Sequence, residues 1–135
     1  MNKVKVKTIV KMIQNEGYSV WVDEDQFQDD ISKDILKGVH ESAFFLPCFT
    51  KAYLRKLEDQ HDSLDFYVAS YFLAVKNIGA KKMFPLIMES DLLDLTKWPQ
   101  QASYLRGNPS FDFSSLENYE TAVKNLIGYV QSFLL

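Results

Sequence analysis

The chain has 135 residues, 47% hydrophobic and 14% aromatic, which is ample for one packed domain and too apolar for a disordered segment. A net charge of -3 supplies no basic footprint, so nucleic-acid and anionic-membrane binding have no electrostatic support. The lone cysteine, Cys48, excludes an intrachain disulfide and suits a reducing compartment, and no apolar run approaches the ~20 residues of a membrane span.

At the start of the chain, Val6, Ile9, Val10 and Ile13 fit one face of a helix ending at Gly17. Val4, Val6, Thr8 and Val10 also alternate as in a strand, but Ile9, Met12 and Ile13 break that period and favour helix. The basic residues Lys3, Lys5, Lys7 and Lys11 have no continuous apolar stretch behind them, so a signal peptide is not read, and a cytoplasmic location is expected. Tyr18 to Val22 reads as a strand, Ile31, Ile35, Leu36 and Val39 as a helix face, and Ala43 to Leu46 as a buried strand. Strand, helix and strand in so short a span imply a right-handed β-α-β crossover with parallel pairing, and function is expected at the edge where the strands end.

Thr50 is placed to cap a helix through Leu57, and the polar stretch from Glu58 to Ser63 leads into an apolar, buried helix from Leu64 to Val75, closed by Gly79. Met83 to Met88 reads as a strand, with Pro85 where no ladder donor is needed. Leu92 to Leu105 contains Trp98-Pro99 and is expected to be a broken helix or an ordered loop. Phe111 and Phe113 suggest a last edge strand. Ser114 or Ser115 would then cap a helix whose stripe is Leu116, Tyr119, Val123, Leu126, Ile127, Val130 and Phe133. The architecture expected from this alternation is a single α/β domain over residues 1–135 with a parallel sheet flanked by helices.

The pattern W-x-D after a strand, then I-x-x-x-I-x-x-G-V-x-x-S into an apolar strand, then Thr and Tyr three residues on, resembles a Toll/interleukin-1 receptor (TIR) domain. The residues are Trp21, Asp23, Ile31, Ile35, Gly38, Val39, Ser42, Thr50 and Tyr53. The resemblance runs over roughly residues 4 to 133 and implies a flavodoxin-like three-layer sandwich with a parallel sheet of four to five strands, signalling through association with other TIR domains, a homo-oligomer, and a defence or stress pathway. It brings no resident cofactor. Some members hydrolyse NAD, using a glutamate on the helix after the third strand. Anchored on Ala74 and on Phe84-Pro85, that position falls on Ser70, with Phe66 at the usual tryptophan. A serine lacks the carboxylate, and without a nearby base its hydroxyl is not an activated nucleophile. Sliding the register to Ala69 brings Asp65 into the place, at a spacing five residues too long. Asp65, or Glu58 on the preceding loop, is therefore the fallback carboxylate of an alternative reading, a TIR-type NAD glycohydrolase with NAD as its substrate. The ordinary readings are a helix N-terminal carboxylate for Asp65 and a small packing residue for Ser70.

The family's first strand has no counterpart here, so an N-terminally incomplete domain is expected. In the family's order that strand lies at the centre of the sheet, and each buried backbone group left unpaired would cost roughly 1–3 kcal/mol. Met1 to Val10 folding back as a strand, a strand from another chain, or an incomplete gene product would each account for it. The segment Asp23, Glu24, Asp25, Gln26, Phe27, Gln28, Asp29 and Asp30 holds five carboxylates and matches the loop through which TIR domains touch one another. It reads equally as a solvated turn ahead of a helix. No glycine stands near Asp29 where the family usually has one. Glycine-punctuated calcium spacing is lacking too, and His40 and His61 have no partner at ligand spacing, so no metal site is expected. Pro47-Cys48 at the strand end excludes a receiver-type phosphoacceptor, and no phosphate-cradling glycine loop occurs.

Overall fold

The structure, a computed structural model, describes residues 3–20, 43–59 and 66–134. Its helices are α1 (Lys3–Asn15), α2 (Lys51–Glu58), α3 (Phe66–Asn77) and α4 (Tyr119–Leu134), and its strands are β1 (Cys48–Phe49), β2 (Leu86–Ile87) and β3 (Phe111–Asp112). The sheet is parallel throughout in the order β1-β2-β3. The described residues thus hold three strands where four to five are expected. Tyr18 to Val20 form no ladder with a described strand, and the rest of the expected crossover, with Trp21, Ile31, Ile35 and Val39, lies outside the described residues.

Two prolines explain why the strands are so short. Phe45 N–H donates to Lys82 O, Phe84 N–H to Phe45 O, Leu86 N–H to Pro47 O and Met88 N–H to Phe49 O, at 2.9–3.0 Å. One hydrogen-bonded line therefore runs from Phe45 to Phe49, beyond the expected end at Leu46. Pro47 offers a carbonyl but no N–H, and this splits the line into an isolated Phe45–Met83 bridge and β1. Pro85 accepts from Phe111 N–H (3.0 Å) on the other side of β2, so its own missing donor falls just before β3 begins.

Side chains on successive residues point to opposite faces and sort into two cores. Phe49, Met83 and Ile87 face a layer formed by α2, α3 and the segment around Trp98. Phe84, Leu86, Met88, Phe111 and Phe113 face α1 and α4, through Ile9, Ile13, Tyr119, Val123 and Leu126. Cys48 is half-buried on this second side. The three-layer expectation is met.

The helix preferred over a strand at the N-terminus is α1, stopped beyond Asn15 by Gly17 at φ +95°. From Lys3 onward this rules out Met1 to Val10 as a replacement strand. Thr50 caps α2 as expected, its Oγ1 accepting from Tyr53 N–H at 3.0 Å. In α3, Val68, Ser70, Tyr71 and Ala74 are buried, whereas Phe72 is 37% exposed, so the helix is not sealed on all sides. Leu92 to Leu105 is an ordered run of 3-10 turns, Ser90–Leu93, Leu95–Lys97 and Gln100–Leu105. Trp98 holds it in place, buried, edge-on to Phe49 at 5.0 Å and donating from Nε1 to Leu92 O at 2.8 Å.

The start of the last helix differs from expectation. A 3-10 turn, Leu116–Asn118, precedes α4, and its tighter winding throws Leu116 off the apolar stripe to 75% exposure. Ser115 makes no capping bond through its side chain. Asp112 orders the approach to the turn, its Oδ1 accepting from Ser114 N–H and Oγ–H and its Oδ2 from Asn118 Nδ2–H.

Candidate functional site

Parallel strands deliver the segments after β1, β2 and β3 to one edge of the sheet, where α/β folds usually place function. Thr50 and Lys51 follow β1, Glu89 and Asp91 follow β2, and Ser114 follows β3. The residues after β1 and β2 close on one another. Glu89 Oε1 accepts from the Lys51 backbone N–H at 2.7 Å, so Thr50 and Glu89 together satisfy two of the unpaired donors at the start of α2. The Lys51 ammonium forms an ion pair with Asp91. That pair raises the lysine above its ordinary value, first through the hydrogen bond and then through charge attraction, and it holds the Asp91 carboxyl below the usual carboxylate range. Hydrogen bonds from Thr96 likewise lower Asp94. An external anion seeking the start of α2 would compete with a carboxylate already seated there.

Beside this edge lies a groove of about 280 Å³ lined by Lys51, Leu54, Arg55, Glu58, Leu92, Lys97 and Pro99. Leu54 and Leu92 are buried and form its apolar floor, while Lys51, Arg55, Glu58 and Lys97 are exposed around it. Its volume is below the ~300–1,000 Å³ typical of small-molecule sites, so no dinucleotide is enclosed by it. Among the described residues, Glu58 is the one carboxylate that lines it. That residue is the last of α2 and not part of a loop, as the sequence suggests.

The positions singled out in the sequence are not brought together in the described residues. Ser70 sits on α3 at 1% exposure, and it does not line the groove. Among the described residues no buried side-chain nitrogen or oxygen lacks a hydrogen-bond partner. Asp65, His40, His61 and the whole segment Asp23 to Asp30 lie outside the described residues. Among those described there is no histidine, and no group of three or more His, Cys, Asp or Glu placed to hold a metal ion. No described helix is long and apolar enough to cross a membrane. Lys51, Glu89 and Asp91 are the residues that sequence reasoning passes over. The acidic run Glu89-Ser90-Asp91 directly after an apolar strand is the signal that could have marked them.

A family model for the TIR domain matches residues 2–127. No curated protein and no solved structure matches the chain.

Proposed function

The chain belongs to the TIR-domain family, and we propose that within it the protein is a signalling module that works by homotypic association, with its own copies or with other TIR domains, and not by cleaving NAD. The observation that carries this reading is Ser70. At the position the resemblance assigns to the catalytic glutamate stands a hydroxyl that is 1% exposed. A group so enclosed neither reaches a substrate nor stabilises positive charge on a departing sugar. Family membership supports the association half, since TIR domains generally interact with TIR domains, and we assign the contact to the acidic segment Asp23 to Asp30. By family analogy the setting is a cytosolic defence or stress pathway.

Light scattering tests the assignment. The wild-type chain is expected to gain apparent mass with concentration, and Asp25→Lys/Asp29→Lys/Asp30→Lys is expected to remain monomeric over the same range. Association unchanged in that variant removes the segment from the interface. The second reading, an NAD glycohydrolase, is favoured by one observation: Glu58 lines a groove together with Lys51, Arg55 and Lys97. Nicotinamide release that disappears in Glu58→Ala or Asp65→Ala would establish it.

A further inference from the structure

Independently of the association reading, we infer that the groove between α2 and residues 92–99 docks an extended peptide segment of a different protein, in which a bulky apolar side chain stands next to a carboxylate. Both walls are set by the fold. Leu54 and Arg55 come from α2, which Tyr53 and Leu57 anchor in the core. Leu92, Lys97 and Pro99 come from the run of 3-10 turns, which is tied twice at Trp98. The Trp98 Nε1–H donates to Leu92 O at 2.8 Å, and the Trp98 carbonyl accepts from Arg106 Nη2 at 2.6 Å. A groove shaped in advance loses little conformational freedom when it is filled.

Size and floor select the anchor. At about 280 Å³ and partly open to solvent, the groove is short of what encloses a whole small molecule and suits one anchoring side chain of a partner laid over Leu54 and Leu92. Leu93 and Leu95, on the same run of turns, stand 48% and 36% exposed, apolar area that the core does not use. Charge selects what stands beside the anchor. Lys51, Arg55 and Lys97 line the groove, and among the described residues Glu58 is the one carboxylate that does so. Lys51 is held by Asp91. Arg55 and Lys97, one on each wall, enter no ion pair among the described residues. Asp91 and Asp94 lie within Coulombic reach of Lys97 but do not line the groove, and each has its own partner, Lys51 for Asp91 and Thr96 for Asp94. Two uncommitted cations thus face one carboxylate across an apolar floor. A guanidinium also offers a carboxylate two parallel hydrogen bonds, so an acidic side chain next to the anchor is the complement.

Fluorescence anisotropy with three labelled peptides tests the assignment: one of alternating glutamate and leucine, one with its leucines changed to serine, and one with its glutamates changed to lysine. The whole chain is used at concentrations where light scattering reports monomer, so the outcome does not depend on self-association. The glutamate-leucine peptide is expected to bind, and each of the other two to bind at least about tenfold more weakly. Arg55→Glu/Lys97→Glu changes two exposed side chains and is expected to reverse the preference, favouring the lysine-leucine peptide. In the wild-type chain, NMR amide shifts on adding the glutamate-leucine peptide are expected to centre on Leu54, Leu92 and Lys97, a readout that needs no variant. Absence of binding, equal binding of the serine peptide, or a preference that ignores the charge reversal overturns the proposal. Shifts centred elsewhere overturn it too. Each of these outcomes leaves the proposed function standing.

Discussion

Tyr71 shows what a single buried polar atom does in this core. Its ring is inaccessible to solvent, and its O–H donates to Gln101 O at 3.0 Å, fastening α3 to the 3-10 turn Gln100–Leu105. Tyr71→Phe keeps the packing but leaves that carbonyl without its donor, and a loss of roughly 0.5–1.5 kcal/mol is expected in denaturant unfolding. Burial pushes the phenol well above its ordinary pKa of 10.0, with the Tyr104 hydroxyl adding to the effect. A raised native pKa means that this contribution is whole below pH 10 and is lost as pH climbs toward the native value. Wild type should therefore lose stability above pH 10 more steeply than Tyr71→Phe. Trp98 carries more: Trp98→Ala removes the edge contact on Phe49 and the bond to Leu92, and a cost of about 3–5 kcal/mol is expected. Both residues were partly readable in the sequence, Trp98 because Pro99 forbids a continuous helix through it. The part played by Asp112 was not, because its bond to Asn118 depends on a 3-10 turn that no local pattern announces.

Among the elements, α2 shows where local and long-range control meet. Its cap was legible because Thr50 lies directly before the helical pattern, and Thr50→Ala is expected to cost ~1 kcal/mol in thermal unfolding. Glu89, 38 positions from Lys51, completes the same helix start. A bond across that separation exists only once β1 and β2 lie side by side, so nothing near Thr50 in the chain announces it. The neighbouring Lys51–Asp91 pair makes a pH signature. Because Lys51 lowers the Asp91 pKa, the contact is present above the ordinary value of 3.8 and fails as pH falls through the lower native value. Carboxyl titration by NMR should place the midpoints of Asp91 and Asp94 both below 3.8. Lys51→Met should move Asp91 up toward the ordinary range and leave Asp94, whose main partner is Thr96, largely where it is. A midpoint for Asp91 that ignores Lys51→Met would contradict the pairing.

For the molecule as a whole, the order of strand, helix and strand was enough to read a parallel sheet, and the family resemblance supplied the three layers. Phe84, Leu86 and Met88 against Met83 and Ile87 is a period-two pattern that only a strand buried on both faces can use. Strand length was less legible, because Pro47 and Pro85 fragment hydrogen bonding that the apolar pattern suggests is continuous. The candidate site divided in the same way. A serine in place of a carboxylate at position 70 is visible in sequence. Its enclosure in α3 becomes visible only when the helix packs. Chemistry needs a group that reaches its substrate, whereas adhesion needs only charge and shape at the surface, and the described residues offer more of the second. The most direct measurement is nicotinamide release from NAD by the wild-type chain at concentrations where light scattering reports assembly. No turnover above the uncatalysed background is predicted. Turnover that grows with assembly and is abolished by Asp65→Ala or Glu58→Ala would contradict the account.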